Sequence, residues 1–196
     1  MGKGGLATAL AAVGLTAGSR TGFADELRLG LRGTTRRVWG RRGIKVRQRL
    51  QPRYEWCHLV AAVDARTGTL WWDWVDTMKA VDLLPVVAEL RARGALDALV
   101  WDGAPGHADA AVRAAGLPLV ALPPYSPELN PAERLFQDVR RRVEGTVYAT
   151  LGDKAAAVQA FLQELDADPA RARRLCGWDW ITAALDALPT PVGKAA

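Results

Sequence analysis

Residues 99–107 are Leu-Val-Trp-Asp-Gly-Ala-Pro-Gly-His, and residues 122–133 are Leu-Pro-Pro-Tyr-Ser-Pro-Glu-Leu-Asn-Pro-Ala-Glu. An apolar run over residues 96–101 leads into the first segment, lies between two glycines and lacks the 3.6-residue spacing of a helix. Such a run predicts a buried strand that ends just before Asp102. Because ligands collect at the carboxyl ends of parallel strands, a carboxylate at this position is a candidate functional group.

The second segment predicts another strand followed by a helix. An apolar run over residues 117–122 ends at two prolines, which cannot continue a central strand. Asn130 then has the position of an N-cap, Pro131 that of the first helical residue and Glu133 that of the third. The apolar face predicted for this helix consists of Leu135, Phe136, Val139 and Val143.

Spacing alone leaves two interpretations of these carboxylates open. Glu133 fits a capping-box glutamate, and Asp102 fits a strand-end aspartate that binds the following loop. Alternatively, the two side chains converge on a divalent cation, because hard cations prefer carboxylate oxygens.

These residues resemble the catalytic core of the DDE transposases, most closely those of the IS630/Tc1/mariner superfamily. In that family the catalytic metals are held by an Asp after a buried strand and by the Glu or Asp of an Asn-Pro-x-Glu turn. The corresponding residues of this chain are Asp102 and Glu133. The chain has Gly103 where the family usually has asparagine. The resemblance covers about residues 21–165 and implies an α/β fold, a ribonuclease H-like mixed sheet flanked by helices.

A third carboxylate lies in an alternating segment, residues 23–31, where Asp25 shares a face with apolar side chains. A buried carboxylate is costly unless it is paired or metal-bound. The segment is similar to the first strand of the family, which makes Asp25 the first catalytic residue and leaves Glu26 facing solvent. The alternative candidate, Asp64, lies in a predicted hairpin turn.

The resemblance implies that Asp25, Asp102 and Glu133 bind two Mg²⁺ or Mn²⁺ ions, which promote in-line displacement at phosphorus. Water would be the nucleophile for strand cleavage, and a DNA 3′-hydroxyl would be the nucleophile for strand transfer. His107 matches a histidine of the family motif, and we expect it to fix a loop or a helix start rather than to act as a general base.

The excess of basic residues in the chain favours a polyanionic partner. The 196-residue chain has a net charge of +5 and a pI near 9.6. Residues 28–53 contain ten Lys or Arg and no Asp or Glu, which favours a nucleic-acid track over a solvated basic loop. The predicted DNA contacts are Arg36, Arg37, Arg41, Arg42, Lys45, Arg47, Arg140 and Arg141.

We expect three regions. Residues 1–20 form a poorly ordered leader or remnant, residues 21–165 the catalytic domain, and residues 166–196 a helical extension and tail. Family members carry helix-turn-helix domains ahead of the core, so we expect a separately encoded or frameshift-joined helix-turn-helix part. The resemblance also implies a homodimer that acts on transposon ends and target DNA. No segment is apolar enough to span a membrane, and we expect a cytoplasmic, nucleoid-associated protein.

Two other functions remain open. The same carboxylates would serve a metal-dependent DNA nuclease that performs no strand transfer. A truncated, non-catalytic DNA-binding relic is the second alternative.

Overall fold

The central strand of the sheet is β1, Thr21–Gly30. It pairs antiparallel with β2, Trp56–Asp64, along its length, and in parallel with β4, Ala98–Trp101, over its first three residues. The computed structural model describes residues 3–33, 37–107 and 109–190. Phe23, Leu27 and Leu29 of β1 are buried, as the alternating pattern predicts.

The five-stranded sheet has the order β3-β2-β1-β4-β5. Strand β3, Leu70–Val75, is antiparallel to β2, whereas β5, Leu119–Ala121, is parallel to β4. The β2–β3 hairpin turn is closed by Asp64, whose Oδ1 accepts hydrogen bonds from the N–H groups of Arg66 and Thr67. Asp64 therefore has the turn role that the sequence predicted.

Helices cover both faces of the sheet. They are α1 Lys3–Ala12, α2 Ala80–Ala92, α3 Ala110–Ala114, α4 Ala132–Val143, α5 Leu151–Asp166, α6 Pro169–Cys176 and α7 Asp179–Asp186. Helices α2 and α3 pack on one face through residues such as Leu83, Val87 and Val112. The other five share a larger core with the opposite face. The predicted mixed sheet flanked by helices is confirmed.

Both ends of the described chain contribute helices to the larger core. Residues 3–12 of the expected leader form helix α1, whose Leu6 and Leu10 are buried in the larger core, where α1 contacts α7. At the other end, Cys176 and Ile181 enter the same core, so α6 and α7 cover the same face of the sheet as α1. No helix within the described residues is both long and apolar enough to cross a membrane.

Two helix starts are fixed by side-chain caps. Helix α3 begins at Ala110, where Asp109 accepts a hydrogen bond from the N–H of Ala111. Thr150 is the N-cap of α5, and Asp153 completes a reciprocal capping box with it.

Candidate active site

Asp25 and Asp102 lie side by side where two parallel strands separate. Phe23 of β1 is paired with Val100 of β4, and each aspartate comes two residues later along its strand direction. Side chains two residues apart point to the same face of a sheet. Because Phe23 and Val100 both enter the larger core, the two aspartates face the layer that contains α4.

Helix α4 brings Glu133 to this position through Asn130. The Nδ2 of Asn130 donates a buried 2.8 Å hydrogen bond to the carbonyl oxygen of Ala24, the residue before Asp25. Its Oδ1 accepts a hydrogen bond from the N–H of Ala132, the first residue of α4. One side chain therefore attaches the start of the helix to the central strand.

Glu133 does not form the capping box that its spacing allowed. The backbone N–H of Asn130, which such a box would occupy, donates instead to the carbonyl oxygen of Pro127. The carboxylate of Glu133 lies 3.7 Å from the guanidinium of Arg140, and both side chains are partly exposed. Glu133 thus remains available to a ligand in the adjacent cleft.

A cleft of about 540 Å³ contains all three carboxylates. Its other walls are the loop at residues 103–105 and the segment at residues 122–127. Within that segment Tyr125 has a positive φ of 56° and an exposed ring. Residues from both quoted stretches of sequence therefore line one site.

The electrostatics of the cleft favour a cation. The pKa of Asp25 is raised from its ordinary value of 3.8 to about 7, first because burial disfavours its charged form. The hydrogen bond from the Glu26 N–H lowers this pKa, whereas the negative charges of Glu133, Glu26 and Asp102 raise it. A bound cation would relieve this repulsion.

The donor set fits a hard divalent cation, since it consists of carboxylate oxygens. Across residues 3–33, 37–107 and 109–190, however, no three His, Cys, Asp or Glu side chains are already grouped as a metal site.

Glu26 is not the solvent-facing residue that the sequence predicted. Its side chain is only 7% exposed, and its Oε1 lies 2.6 Å from Nε2 of His107. Its Oε2 accepts a 3.3 Å hydrogen bond from the indole N–H of Trp101. The alternation of β1 suggested an exposed face, but helices cover both faces of this central strand.

His107 connects Glu26 to the loop that follows β4. Its ring is 6% exposed and stacks on Trp101 with centroids 4.0 Å apart. Its Nδ1 lies 2.6 Å from Oδ1 of Asp102 and 3.2 Å from the carbonyl oxygen of the same residue. Burial lowers the pKa of His107, but the hydrogen bond and charge of Glu26, with Asp102, outweigh it and raise the pKa above its ordinary value of 6.5. These contacts are those of a loop-fixing residue.

The predicted DNA contacts that belong to the described residues are not among the residues that line the cleft. Residues 37–50 form neither helix nor strand and are exposed, and they include Arg37, Arg41, Arg42, Lys45 and Arg47. Arg36 lies outside the described residues. On α4, Arg140 lies near Glu133, and the exposed Arg141 pairs with Asp138 at 2.8 Å.

Comparison with known proteins assigns the chain to a family and relates its fold to solved structures. The family described as DDE superfamily endonuclease matches residues 20–153. No curated protein matches the chain in sequence. Among solved structures, the chain is similar to the Mos1 transposase paired-end complex with left transposon end, with a TM-score of 0.64 and 15% identity over 95% of this chain and 62% of that one.

The Mos1 strand transfer complex gives a TM-score of 0.66 and 15% identity, covering 94% of this chain and 60% of that one. At this identity the similarity is one of fold, and it confirms the ribonuclease H-like architecture. The chain spans about 60% of the length of these Mos1 chains. Because the family match covers more than half of the chain and includes all three carboxylates, the chain belongs to the DDE superfamily endonucleases.

Proposed function

We propose that the chain is the catalytic core of a transposase, which cleaves DNA and transfers the cut strand in a metal-dependent reaction. The observation that carries the proposal is the convergence of Asp25, Asp102 and Glu133 in one cleft of a DDE endonuclease domain. The Mos1 paired-end complexes with Mn and with Mg, which share this fold, support the choice of cation.

In this proposal the three carboxylates hold two Mg²⁺ or Mn²⁺ ions. When bound, such ions activate a nucleophile and stabilise the leaving oxygen at phosphorus. Asp25 presents its carboxylate from the hydrogen-bonded central strand, and Asn130 sets the position of Glu133. In strand transfer, a DNA 3′-oxygen forms a bond to a target phosphorus, and the bond from that phosphorus to its original 3′-oxygen breaks.

The proposed DNA path starts at the exposed basic segment, residues 37–50, and includes Arg140 and Arg141. Phosphate contacts from Lys and Arg provide affinity without sequence specificity. We propose that a helix-turn-helix part supplies recognition of the transposon ends, that two copies act as a dimer, and that the site of action is the nucleoid.

A plasmid assay tests the proposal. The wild-type chain should nick supercoiled DNA and join a labelled oligonucleotide 3′-end to the plasmid, in Mg²⁺ or Mn²⁺ but not in EDTA. Asp102→Asn should reduce both reactions at least about 100-fold, which corresponds to about 3 kcal/mol of transition-state stabilisation. Asp73→Asn, at an exposed position on β3, is the matched control and should leave both unchanged.

Cleavage without joining would favour the metal-dependent nuclease. DNA binding without cleavage, in a protein shown to be folded by circular dichroism, would favour the non-catalytic relic. Equal activity of the wild type and Asp102→Asn would overturn the assignment of the site.

A further inference from the structure

We propose that Glu26 and His107 are positioning residues that hold the carboxylate of Asp102 in the orientation needed to bind a divalent cation. This inference rests on the proposed function, in which Asp102 is a metal ligand. It assigns a role to two side chains that lie behind the cleft rather than in it.

The Glu26–His107 pair connects β1 to the loop after β4. Glu26 follows Asp25 in the chain, so its side chain lies on the opposite face of the sheet. From there its carboxylate contacts one ring nitrogen of His107, and the other ring nitrogen contacts Oδ1 of Asp102, each at 2.6 Å. The strand that carries Asp25 is thereby linked to Asp102 through one imidazole.

Asp102 needs such a restraint. Its side chain is 54% exposed and follows the last residue of β4, where ladder hydrogen bonds no longer fix the backbone. Besides His107, the N–H of Ala104 donates to the same Oδ1 at 3.0 Å. Both contacts hold one oxygen, and within the described part of the chain no partner is found for Oδ2.

Packing alone does not account for the pair. Burying a carboxylate and an imidazole costs free energy, and an apolar pair of similar volume would fill the space with no desolvation penalty. The stack of His107 on Trp101 and the hydrogen bond from that indole to Glu26 leave the imidazole little freedom to rotate. The group that this rigid arrangement holds at its exposed end is Asp102.

Two substitutions of His107 separate positioning from packing. Asn places a side-chain amide near the position of Nδ1, and Gln places one near Nε2. His107→Asn should therefore keep the contact with Asp102, whereas His107→Gln should keep only the contact with Glu26. His58→Gln, at the other histidine of the chain, whose Nδ1 contacts the carbonyl oxygen of Asp76, is the matched control.

The primary measurement is Mn²⁺ binding to the DNA-free protein, by titration calorimetry and by the paramagnetic resonance signal of free Mn²⁺. We expect His107→Gln to weaken binding by about 10–100-fold, the range found when outer-shell partners of metal ligands are replaced. His107→Asn and His58→Gln should bind within about threefold of wild type. Glu26→Gln retains an oxygen facing Nε2, so its Mn²⁺ affinity should lie between those of His107→Gln and wild type. It provides a second variant if His107→Gln is unfolded.

Thermal unfolding of each variant distinguishes the two roles. Equal Mn²⁺ affinity in folded His107→Gln and wild type would overturn the inference. The inference would also fail if both His107 variants lost Mn²⁺ affinity in proportion to their loss of thermal stability. If Asp102→Asn abolishes Mn²⁺ binding and His107→Gln does not affect it, only this inference fails. If the wild type binds no Mn²⁺ at all, the proposed function fails and this inference fails with it.

Discussion

The side-chain amide of Asn130 and the carbonyl oxygen of Ala24 are joined by a buried 2.8 Å hydrogen bond between the start of α4 and the central strand. Asn130→Ala removes this bond and the bond that Oδ1 accepts from the N–H of Ala132. Unsatisfied buried polar groups cost about 1–3 kcal/mol each, so we expect the free energy of unfolding to fall by at least about 2 kcal/mol in urea denaturation. Cleavage should fall more steeply than stability, because Glu133 loses its fixed position.

Ser126→Ala is the control for this substitution. Its hydroxyl donates an exposed 3.3 Å hydrogen bond to the carbonyl oxygen of Pro124, so its removal should change stability by less than about 0.5 kcal/mol. Equal losses of unfolding free energy in Asn130→Ala and Ser126→Ala would contradict the role given to Asn130.

The raised pKa of Asp25 predicts a pH-dependent effect of Asp25→Asn. Between pH 4 and about 7 the folded protein holds a proton on Asp25 that the unfolded chain has released. This contribution to stability is therefore complete below the unfolded pKa and is lost as pH rises toward 7. In metal-free buffer, Asp25→Asn should raise the melting temperature more at pH 8 than at pH 5, as measured by scanning calorimetry.

Asp73→Asn again serves as the control, because Asp73 is exposed and outside the carboxylate cleft. Its melting temperature relative to wild type should show no such trend. A constant difference between Asp25→Asn and wild type across this pH range would show that the folded state does not hold the extra proton.

The basic segment predicts a change in the salt dependence of DNA binding. Arg41→Ala with Arg42→Ala removes two exposed cations, and the slope of log K against log salt concentration should become shallower by about 0.9 for each phosphate that these cations neutralise. Fluorescence anisotropy with a labelled duplex at several salt concentrations measures this slope. Arg173→Ala with Arg174→Ala, an exposed arginine pair on α6, should leave the slope unchanged. A shallower slope for the α6 pair, with an unchanged slope for the Arg41 and Arg42 pair, would place the DNA contacts on α6 instead.

A buried lysine should contribute strongly to stability. The Nζ of Lys154 lies 3.0 Å from the carboxylate of Glu144 and donates a 2.7 Å hydrogen bond to the carbonyl oxygen of Gly30, and the side chain is 1% exposed. Lys154→Met removes a buried cation together with its contacts to Glu144 and Gly30, at a cost of about 3–5 kcal/mol. Replacing both charges with Lys154→Met and Glu144→Gln should recover part of this stability in urea denaturation. No recovery in the double variant would show that the loss of stability does not come from the charge of Glu144.

Local sequence patterns predicted the elements that carry the site. The alternation of β1, the hairpin closed by Asp64 and the apolar face of α4 depend on near neighbours, and each was confirmed. The proximity of Asp25 and Asp102 was inferred only through family resemblance, because it depends on the register between β1 and β4. That register is set by strands far apart in the chain.

The burial of Glu26 was missed for a related reason. A strand that alternates between apolar and polar residues is normally half exposed, and Glu26 stands at a position that should face water. Helices α2 and α3, together with Trp101 and His107, cover that face instead. The burial of α1 against α7 likewise depends on a partner that is most of the chain away.

Pairing of β1 with β4 stops at Phe23, while pairing with β2 continues to Gly30. Asp25 therefore belongs to a continuously bonded ladder, whereas Asp102 follows the last paired residue of β4. Amide hydrogens around Asp25 should exchange with deuterium only on extensive unfolding, and those of residues 102–107 through small local openings. One aspartate of the cleft thus lies on a slowly exchanging strand and the other begins a rapidly exchanging loop, so the backbone of that loop can open without opening the sheet, while in the closed state the Glu26–His107 pair fixes the carboxylate of Asp102.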